Sequence, residues 1–211
     1  VKPNFVDPDP GRGSGSGAYA LFVGRLSPEK GIGTLLDAWQ RAGSRVSLRI
    51  VGDGPLAGEA RQQSHRLPNV AVLGPRASEE AYQLMGEAAF LVLPSECYEA
   101  FPLVAIEAFA KGTPVVASNL GAMAEVVDNG RTGLLFRPGD AEDLAAKVEW
   151  MATHPAEVRR MRHQARAEFL AKYTAERNYR ALMEIYERAI EGRAARAEPG
   201  AAAAQAAGHA G

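Results

Sequence analysis

The chain has 211 residues, of which 46% are hydrophobic, and its 24 lysines and arginines nearly balance its 25 aspartates and glutamates. This balance disfavours a nucleic-acid binder, because such proteins hold phosphates with an excess of basic side chains. The single cysteine, Cys97, excludes an intramolecular disulfide and a zinc site built on cysteines. No apolar run reaches the roughly 18 residues of a membrane helix, and no signal-peptide pattern opens the chain, so we expect a cytoplasmic protein.

The first 17 residues have the composition of a linker. Residues 7–17 contain only Asp, Pro, Gly, Arg and Ser, which favour turns and flexible loops. The chain also starts with Val1 rather than Met, which indicates either a piece of a longer protein or a processed or engineered start. We therefore predict a linker or hinge over residues 1–17.

Six short apolar runs alternate with helical patterns between residue 18 and about residue 152. Most of the runs end at Gly or Pro, as buried strands do. Ser27 and Ser78 are predicted to cap helices, and Pro102 is predicted to open one. The predicted strands are Tyr19–Val23, Val46–Val51, Val70–Leu73, Phe90–Leu93, Val115–Ala117 and Leu134–Phe136, and the predicted helices cover about 27–39, 56–66, 78–88, 102–110 and 140–152.

Apolar runs that alternate with helices imply βα units and a parallel sheet covered on both faces. The predicted fold class is therefore α/β, a doubly wound, mostly parallel, Rossmann-like sheet with helices on both faces, followed by C-terminal helices. Ligands of such sheets bind beyond the carboxyl ends of the strands, where loops lead into helices. The candidate binding residues are therefore expected in those loops.

The C-terminal part is predicted to be helical and rich in arginine from about residue 156. From residue 192 the composition turns to Ala and Gly without periodicity, which favours disorder. We predict one domain over residues 18–191 and a disordered Ala/Gly-rich tail over 192–211. Before the tail, five residues at helical spacing form an apolar stripe: Tyr179, Leu182, Met183, Tyr186 and Ile190. Such a stripe has to be buried against another surface.

The loop after the first predicted strand carries two cations at a helix start. Gly24 lets the backbone approach a ligand closely, and Arg25 and Lys30 flank the predicted helix start. Free N–H groups at a helix start bind anions. The planar set of donors on an arginine guanidinium, together with the compact charge of a lysine ammonium, suits a diphosphate. The alternative is a surface turn with two solvated cations.

The loop after the fourth predicted strand leads into a helix that carries an acid in an apolar setting. If Pro102 is the first helical residue, the backbone amides of Leu103 and Val104 are unpaired and form an anion-binding site. Glu107 lies about 7.5 Å further along the helix axis, among apolar neighbours. A carboxylate is costly to bury there without a partner, so we expect a functional role for it. The alternative is a glutamate on an exposed helix edge.

Gly52–Ala57 fits the G-x-G-x-x-A fingerprint of dinucleotide-binding domains. It follows the second strand rather than the first, and the position about 20 residues on is Val72 or Leu73 rather than an acid. Pro55 also removes an amide that would face a phosphate. A tight strand-to-helix turn is the better interpretation, and an NAD-type dinucleotide domain is the weaker alternative.

Together these loops resemble the carboxyl-terminal, donor-binding half of GT-B retaining glycosyltransferases of the group 1 family, also called family 4. The resemblance extends from about Asn4 to Ile190 and depends most on an E-x7-E motif that runs from Glu99 to Glu107. The other matching stretches are Phe22–Gly31, Val51–Pro55 and Gly112–Ser118, followed by Gly121, Glu125 and Gly133–Leu135.

The resemblance implies a site for a nucleoside-diphosphate sugar with three catalytic residues. Arg25 and Lys30 would hold the diphosphate and stabilise the charge that it gains as the sugar leaves. Glu99 would contact hydroxyls of the donor sugar, and Glu107 would accept hydrogen bonds from the ribose. The implied donor-binding set, which also places backbone amides at the sugar and a loop beside the nucleobase, is Gly24, Arg25, Lys30, Gly74, Arg76, Glu99, Phe101, Pro102, Leu103 and Glu107.

The resemblance also implies transfer with retention of the anomeric configuration, with neither a metal nor a cofactor. Fixed cations would stabilise the leaving diphosphate in place of a metal. Asp7-Pro8-Asp9 matches the D-x-D metal motif of another glycosyltransferase fold, but it lies among prolines and glycines ahead of the sheet. We interpret that match as accidental.

GT-B enzymes have an amino-terminal, acceptor-binding half that this sequence lacks. The implied partners are therefore a nucleotide-sugar donor and that domain, and no nucleic acid. The last helix of such enzymes crosses back onto the missing half, which would explain the apolar stripe. We expect the isolated chain to bind a nucleotide sugar weakly and to transfer none. The alternative is a nucleotide-binding module of the same fold with no chemistry of its own.

A basic side on the helix after residue 156 could touch anionic lipid. Glutamates in the same stretch dilute its charge, so a solvated helix face is favoured and peripheral membrane association has weak support. The basic residues are Arg159, Arg160, Arg162 and Arg166.

Overall fold

The protein is described by a computed structural model over residues 3–43 and 46–197. Its centre is a six-stranded parallel sheet in the order β3-β2-β1-β4-β5-β6. The α/β doubly wound fold class is confirmed, and each predicted strand is found to within one residue at its ends. The strands are β1 (Tyr19–Val23), β2 (Ser47–Val51), β3 (Val70–Gly74), β4 (Phe90–Leu93), β5 (Val115–Ser118) and β6 (Gly133–Phe136).

Helices connect the strands and follow the last one. The first helix begins at Ile32, because Gly31 adopts a left-handed backbone (φ 70°) that separates it from a 3-10 turn over Pro28–Lys30. Ser27 is the N-cap residue of that turn, as predicted, but its side chain makes no capping hydrogen bond. The predicted cap at Ser78 is wrong, because Ser78 is already the first residue of its helix. The helices are α1 (Ile32–Ala42), α2 (Ala57–Ser64), α3 (Ser78–Glu87), α4 (Leu103–Ala110), the unpredicted α5 (Ala122–Val126), α6 (Ala141–Thr153), α7 (Pro155–Lys172) and α8 (Ala175–Ala197).

The sheet separates two hydrophobic cores, because alternate side chains of a strand point to opposite faces. In β1, Ala20 and Phe22 belong to the core that contains α1 and α6, whereas Tyr19 and Leu21 belong to the core that contains α3, α4 and the second half of α7. Burial on both faces explains why the strands are almost continuously apolar in sequence.

Residues 3–17 lie along the domain. The N–H groups of Gly13, Gly15 and Gly17 donate to backbone carbonyls at or just beyond the ends of α3 and α4 at 2.8–2.9 Å, where helices leave carbonyls unpaired. Asp9 accepts two hydrogen bonds from the Arg166 guanidinium, at 2.7 and 2.8 Å. The segment contacts the domain closely, because its unhindered glycine backbone can approach those carbonyls. Its role as a hinge stays a prediction.

Two of the four arginines of α7 point inwards. Arg162 is only 5% exposed and donates to three backbone carbonyls, and Arg166 is engaged by Asp9. Only Arg159 and Arg160 are left on the predicted basic face. In the described part of the chain, no helix combines the length and the apolarity needed to cross a bilayer.

Helix α8 continues to Ala197, beyond the predicted domain end at residue 191. Alanine and arginine are strong helix formers, which explains the extension. The rest of the predicted tail, 198–211, lies outside the described residues. The apolar stripe is exposed in this structure, with Tyr179 at 62% and Ile190 at 69%.

Candidate functional site

The candidate site lies where the order of the strands reverses. Chain order runs outward from β1 to β3 on one side and from β4 to β6 on the other, so β1 and β4 meet at a topological switch point. The loop after β1 leads to α1 on one face, and the loop after β4 leads to α4 on the other face. In such sheets ligands bind near this point, at the carboxyl ends of the strands.

A cleft of about 370 Å³ opens over the ends of β1 and β2 at this edge. Its lining combines two guanidinium groups with the carboxylates of Asp53 and Glu107. Gly74, at the end of β3, lies just outside the lining, and its carbonyl accepts a hydrogen bond from a residue of the cleft. The predicted donor-site residues that the structure brings together in this cleft are Gly24, Arg25, Arg76 and Glu107.

Glu107 has a hydrogen-bond partner that the sequence analysis missed. It is half-buried on α4, and the Tyr82 hydroxyl of α3 donates a hydrogen bond to its Oε1 at 3.1 Å. Burial raises the pKa of Glu107, and the tyrosine hydrogen bond partly offsets this rise. Burial and the adjacent carboxylate raise the pKa of Tyr82 to about 12, so it remains a donor. No local pattern marks Tyr82, because its partner lies 25 positions away in the chain.

A second polar group bridges the loops after β1 and β4. The Lys30 Nζ lies 2.6 Å from Glu99 Oε1, and the same oxygen accepts a hydrogen bond from the Ser95 hydroxyl at 2.6 Å. The two charged side chains remain 30% and 18% exposed, so a ligand can reach them. Two of the predicted catalytic residues are therefore in direct contact, whereas the third, Arg25, lines the neighbouring cleft.

Two glycines allow these loops to pack closely. A Cβ atom on Gly31 would lie 1.9 Å from the carbonyl oxygen of Pro94, and one on Gly52 would lie 1.9 Å from that of Gly24. Both glycines have positive φ angles, of 70° and 138°, which side chains rarely permit. Close packing of two loops thus accounts for the first glycine of the G-x-G pattern at 52–54 and favours a tight turn over a dinucleotide fingerprint.

One of the two backbone amides predicted to bind an anion at the start of α4, that of Leu103, is already paired in the structure. Pro102 precedes the helix with φ −81° and ψ 81°, the geometry of an inverse γ-turn. The Leu103 N–H therefore donates to the Phe101 carbonyl at 3.0 Å, so the prediction of an unpaired amide there is wrong. None of these three residues lines the cleft, and the ring of Phe101 packs edge-on against Tyr173 at 6.3 Å.

Residues 3–43 and 46–197 contain no group of three or more His, Cys, Asp or Glu side chains placed to hold a metal ion. In the Asp7-Pro8-Asp9 stretch, Asp9 instead forms an ion pair with Arg166. Chemistry without a metal or a cofactor stays a prediction.

The chain matches a family model described as group 1 glycosyl transferases over residues 17–154. Glycogen synthase from Mycobacterium tuberculosis is 36% identical over 183 residues, which cover 83% of this chain and 44% of that protein. The crystal structure of Anabaena HepE in complex with UDP is similar to this chain with a TM-score of 0.75 and 28% identity, over 82% of this chain and 49% of HepE.

Sucrose-phosphate synthase from Thermosynechococcus elongatus is similar with a TM-score of 0.78 and 28% identity, over 90% of this chain and 52% of that protein. The chain thus spans about half the length of the relatives that it matches. The family match covers well over half of this chain and includes all six strands and both loops of the switch point. The chain therefore belongs to the group 1 glycosyltransferases and has the fold of their GT-B members.

Proposed function

We propose that the chain is the donor-binding domain of a retaining glycosyltransferase and binds a nucleoside-diphosphate sugar at the switch point. The observation that carries this proposal is the combination, at one edge of the sheet, of the cleft with its arginines and half-buried Glu107 and the bridging pair Lys30–Glu99. A diphosphate needs the cations, and the hydroxyls of a sugar and a ribose need carboxylate acceptors. Anabaena HepE, solved with UDP and with UDP-glucose, supports this class of donor.

The hydrogen bonds of the acids suggest how the donor is held. Glu99 uses Oε1 for Lys30 and Ser95, which leaves its second oxygen for sugar hydroxyls. Glu107 uses Oε1 for Tyr82, which leaves its second oxygen for the ribose. Arg25, in the cleft, would bind the diphosphate between the two acids, and Gly74 and Arg76 would border the nucleobase.

The proposed transfer breaks the bond between the anomeric carbon and a phosphate oxygen, which keeps the electron pair. A hydroxyl oxygen of the acceptor bonds to the anomeric carbon on the same face, and its proton passes to the leaving phosphate. Arg25 and Lys30 would stabilise the charge that develops on that phosphate. The proposal needs no metal, because these fixed cations supply the stabilisation.

We also infer that a separate domain binds the acceptor. The chain spans about half of its relatives, and the apolar stripe of α8 is exposed, which supports a further domain packed against that helix. The isolated chain is then expected to bind the donor weakly and to release no sugar to an acceptor. Robust transferase turnover by the 211 residues alone would contradict this part of the proposal.

The direct test is a calorimetric titration of the chain with UDP, GDP, ADP and NAD. Binding of at least one nucleoside diphosphate, with little response to NAD, is expected. Tight NAD binding with no response to any diphosphate would favour the dinucleotide alternative. A nucleotide-binding module with no chemistry of its own would also bind the diphosphates. A protein that contains this chain together with an acceptor-binding domain should therefore be assayed for sugar transfer. Diphosphate binding without transfer in that assay would favour the binding module.

A further inference from the structure

A second cavity, of about 470 Å³, lies at the opposite end of the sheet. Its lining includes Val46, just before β2, Phe90, the first residue of β4, and Met151 near the end of α6. It is therefore at the amino ends of the strands, and the four or five residues of each strand, at about 3.3 Å each, separate it from the candidate donor cleft by roughly 15 Å. The proposed donor site does not use this cavity.

The floor of this cavity is apolar. Phe90 and Met151 are 1% and 3% exposed, and Val46 and Val158 are 7% and 8% exposed. These side chains come from the sheet, α6 and α7, so the floor is part of the packed core and is held rigidly. Such a surface binds the apolar body of a ligand by removing it from water.

The rim of the cavity is cationic. Arg12 comes from the amino-terminal segment, whereas Arg159 and His163 are neighbours on one face of α7, four positions apart. Arg12 donates a hydrogen bond to His163 Nε2 at 3.3 Å, because a guanidinium can only be the donor. Arg12 and Arg159 are both exposed, so their remaining donors are open to a ligand.

Arg162 is a buried cation in the lining of the same cavity. It donates to the carbonyls of Ala88, Gly86 and Gly13 at 2.8, 3.2 and 3.3 Å, which satisfy its hydrogen bonds but not its charge. Burial, together with repulsion from Arg12, lowers its pKa to about 10.

No carboxylate compensates these charges within the described residues. None of the residues that line the cavity is an Asp or Glu. In the described ranges, no ion pair involves Arg12, Arg159 or Arg162, and the nearby carboxylate of Asp9 is engaged by Arg166. A cavity with several cations, no acid and an apolar floor is complementary to an anion that carries an apolar group.

We propose that this cavity is a second ligand site, for an organic phosphate with an apolar body. Arg12 and Arg159 bind the phosphate at the rim, and the apolar body lies on Phe90, Met151 and Val158. Because Arg12 belongs to the amino-terminal segment and Arg159 to α7, a bound ligand joins these two elements. The site is independent of the proposed donor cleft.

The first test is a titration with 1-naphthyl phosphate as the probe. The double variant Arg12→Ala/Arg159→Ala is expected to lose at least about tenfold in affinity, since each charge-assisted hydrogen bond contributes about 1.5–3 kcal/mol. Both side chains are exposed, so the fold should be unaffected. Arg160→Ala, an exposed neighbour on α7 outside the cavity, is the matched control and should bind as the unaltered chain does.

Three outcomes would overturn the proposal. Equal losses in the Arg160→Ala control would indicate unspecific attraction to a basic surface. Inorganic phosphate that binds as tightly as the naphthyl ester would mean that the apolar floor is not used. Binding to vesicles of phosphatidic acid, with none to the soluble ester, would indicate a membrane-facing surface instead of a small-molecule site.

The second test separates this site from the donor cleft by NMR of methionine methyl groups. Met151 lines the second cavity and Met85 lines the cleft. The naphthyl ester is expected to shift the Met151 signal and leave that of Met85 in place, whereas UDP should do the reverse. If the naphthyl ester shifts the Met85 signal and not the Met151 signal, the second site is overturned. If UDP leaves the Met85 signal unshifted, that result counts only against the proposed donor site.

Discussion

The two ends of the sheet differ in how their cations are balanced. At the carboxyl ends of the strands, Lys30 lies 2.6 Å from Glu99, and Arg25 shares its cleft with Glu107. At the amino ends, the arginines line a cavity whose lining contains no acid. A site of mixed charge suits a ligand with both phosphates and hydroxyls, whereas cations over an apolar floor suit an anion with an apolar body.

The two ends also differ in how far their side chains are held in place. Glu99 is held by Lys30 and Ser95, and Glu107 is held by Tyr82, before any ligand binds. Side chains that are already ordered lose less entropy on binding. At the amino end, among the described residues, the exposed Arg12 has only a long hydrogen bond of 3.3 Å, to His163, so the comparison predicts tighter binding at the carboxyl end.

The largest effect is expected for Arg25→Ala. If Arg25 binds the diphosphate, nucleoside-diphosphate affinity should fall by about 10- to 100-fold, because charge-assisted hydrogen bonds contribute about 1.5–3 kcal/mol each. Calorimetry would measure the loss, with Arg160→Ala as the control for a missing surface charge. Unchanged affinity would mean that the loop after β1 is only a turn.

Glu107→Gln should affect the nucleoside end of the ligand. The substitution keeps the shape and an acceptor for Tyr82 but removes the negative charge, so UDP affinity should fall by about tenfold and pyrophosphate affinity much less. Parallel titrations with UDP and pyrophosphate would measure the difference. Equal losses for both ligands would count against a ribose contact.

Tyr82→Phe should have a smaller effect that depends on pH. The Tyr82 hydrogen bond lowers the pKa of Glu107 against the effect of burial, so its loss should raise that pKa further. In its proposed role Glu107 accepts the ribose hydroxyls as a carboxylate, which forms only above this pKa, so the rise of UDP affinity with pH should move to higher pH. At neutral pH we expect a loss of about two- to tenfold. An affinity loss with an unmoved pH profile would assign Tyr82 to packing alone.

Asp9→Asn should have the smallest effect and tests the amino end. The hydrogen bond from Arg166 lowers the pKa of Asp9, so the pair stabilises the fold above the pKa of an unfolded aspartate and ceases to do so as the pH falls through the lowered value. The pair is partly exposed, with side chains at 18% and 39%, so we expect a loss of at most about 1 kcal/mol at pH 7. Urea unfolding at pH 7 and in acid would measure it; a difference that persists in acid would argue against the ion pair.

Most of the fold could be predicted from local signals. Each buried strand is a short apolar run ended by a turn, and these signals lie within a few adjacent residues. The start of α1 could not be placed, because it depends on the left-handed Gly31 packed against the loop after β4. Helix α5 was missed because its five residues are too few to show a helical period.

The candidate site was predicted in its residue types more than in its contacts. Arg25 and Glu107 were expected and share the cleft, but Tyr82 and Ser95 were not expected. The free amide of Leu103 was expected and is absent, because a proline determines only its own φ and leaves ψ to the surrounding structure.

The order of residues along the chain thus determined the strands, the loops that follow them and the chemistry that those loops carry. The tertiary structure alone decided which of these groups meet. Lys30 and Glu99 are 69 positions apart and come together only because β1 and β4 are neighbours in the sheet. The same sheet brings the amino-terminal Arg12 to α7 at its other end. Such contacts depend on the packing of distant segments, which no local pattern encodes.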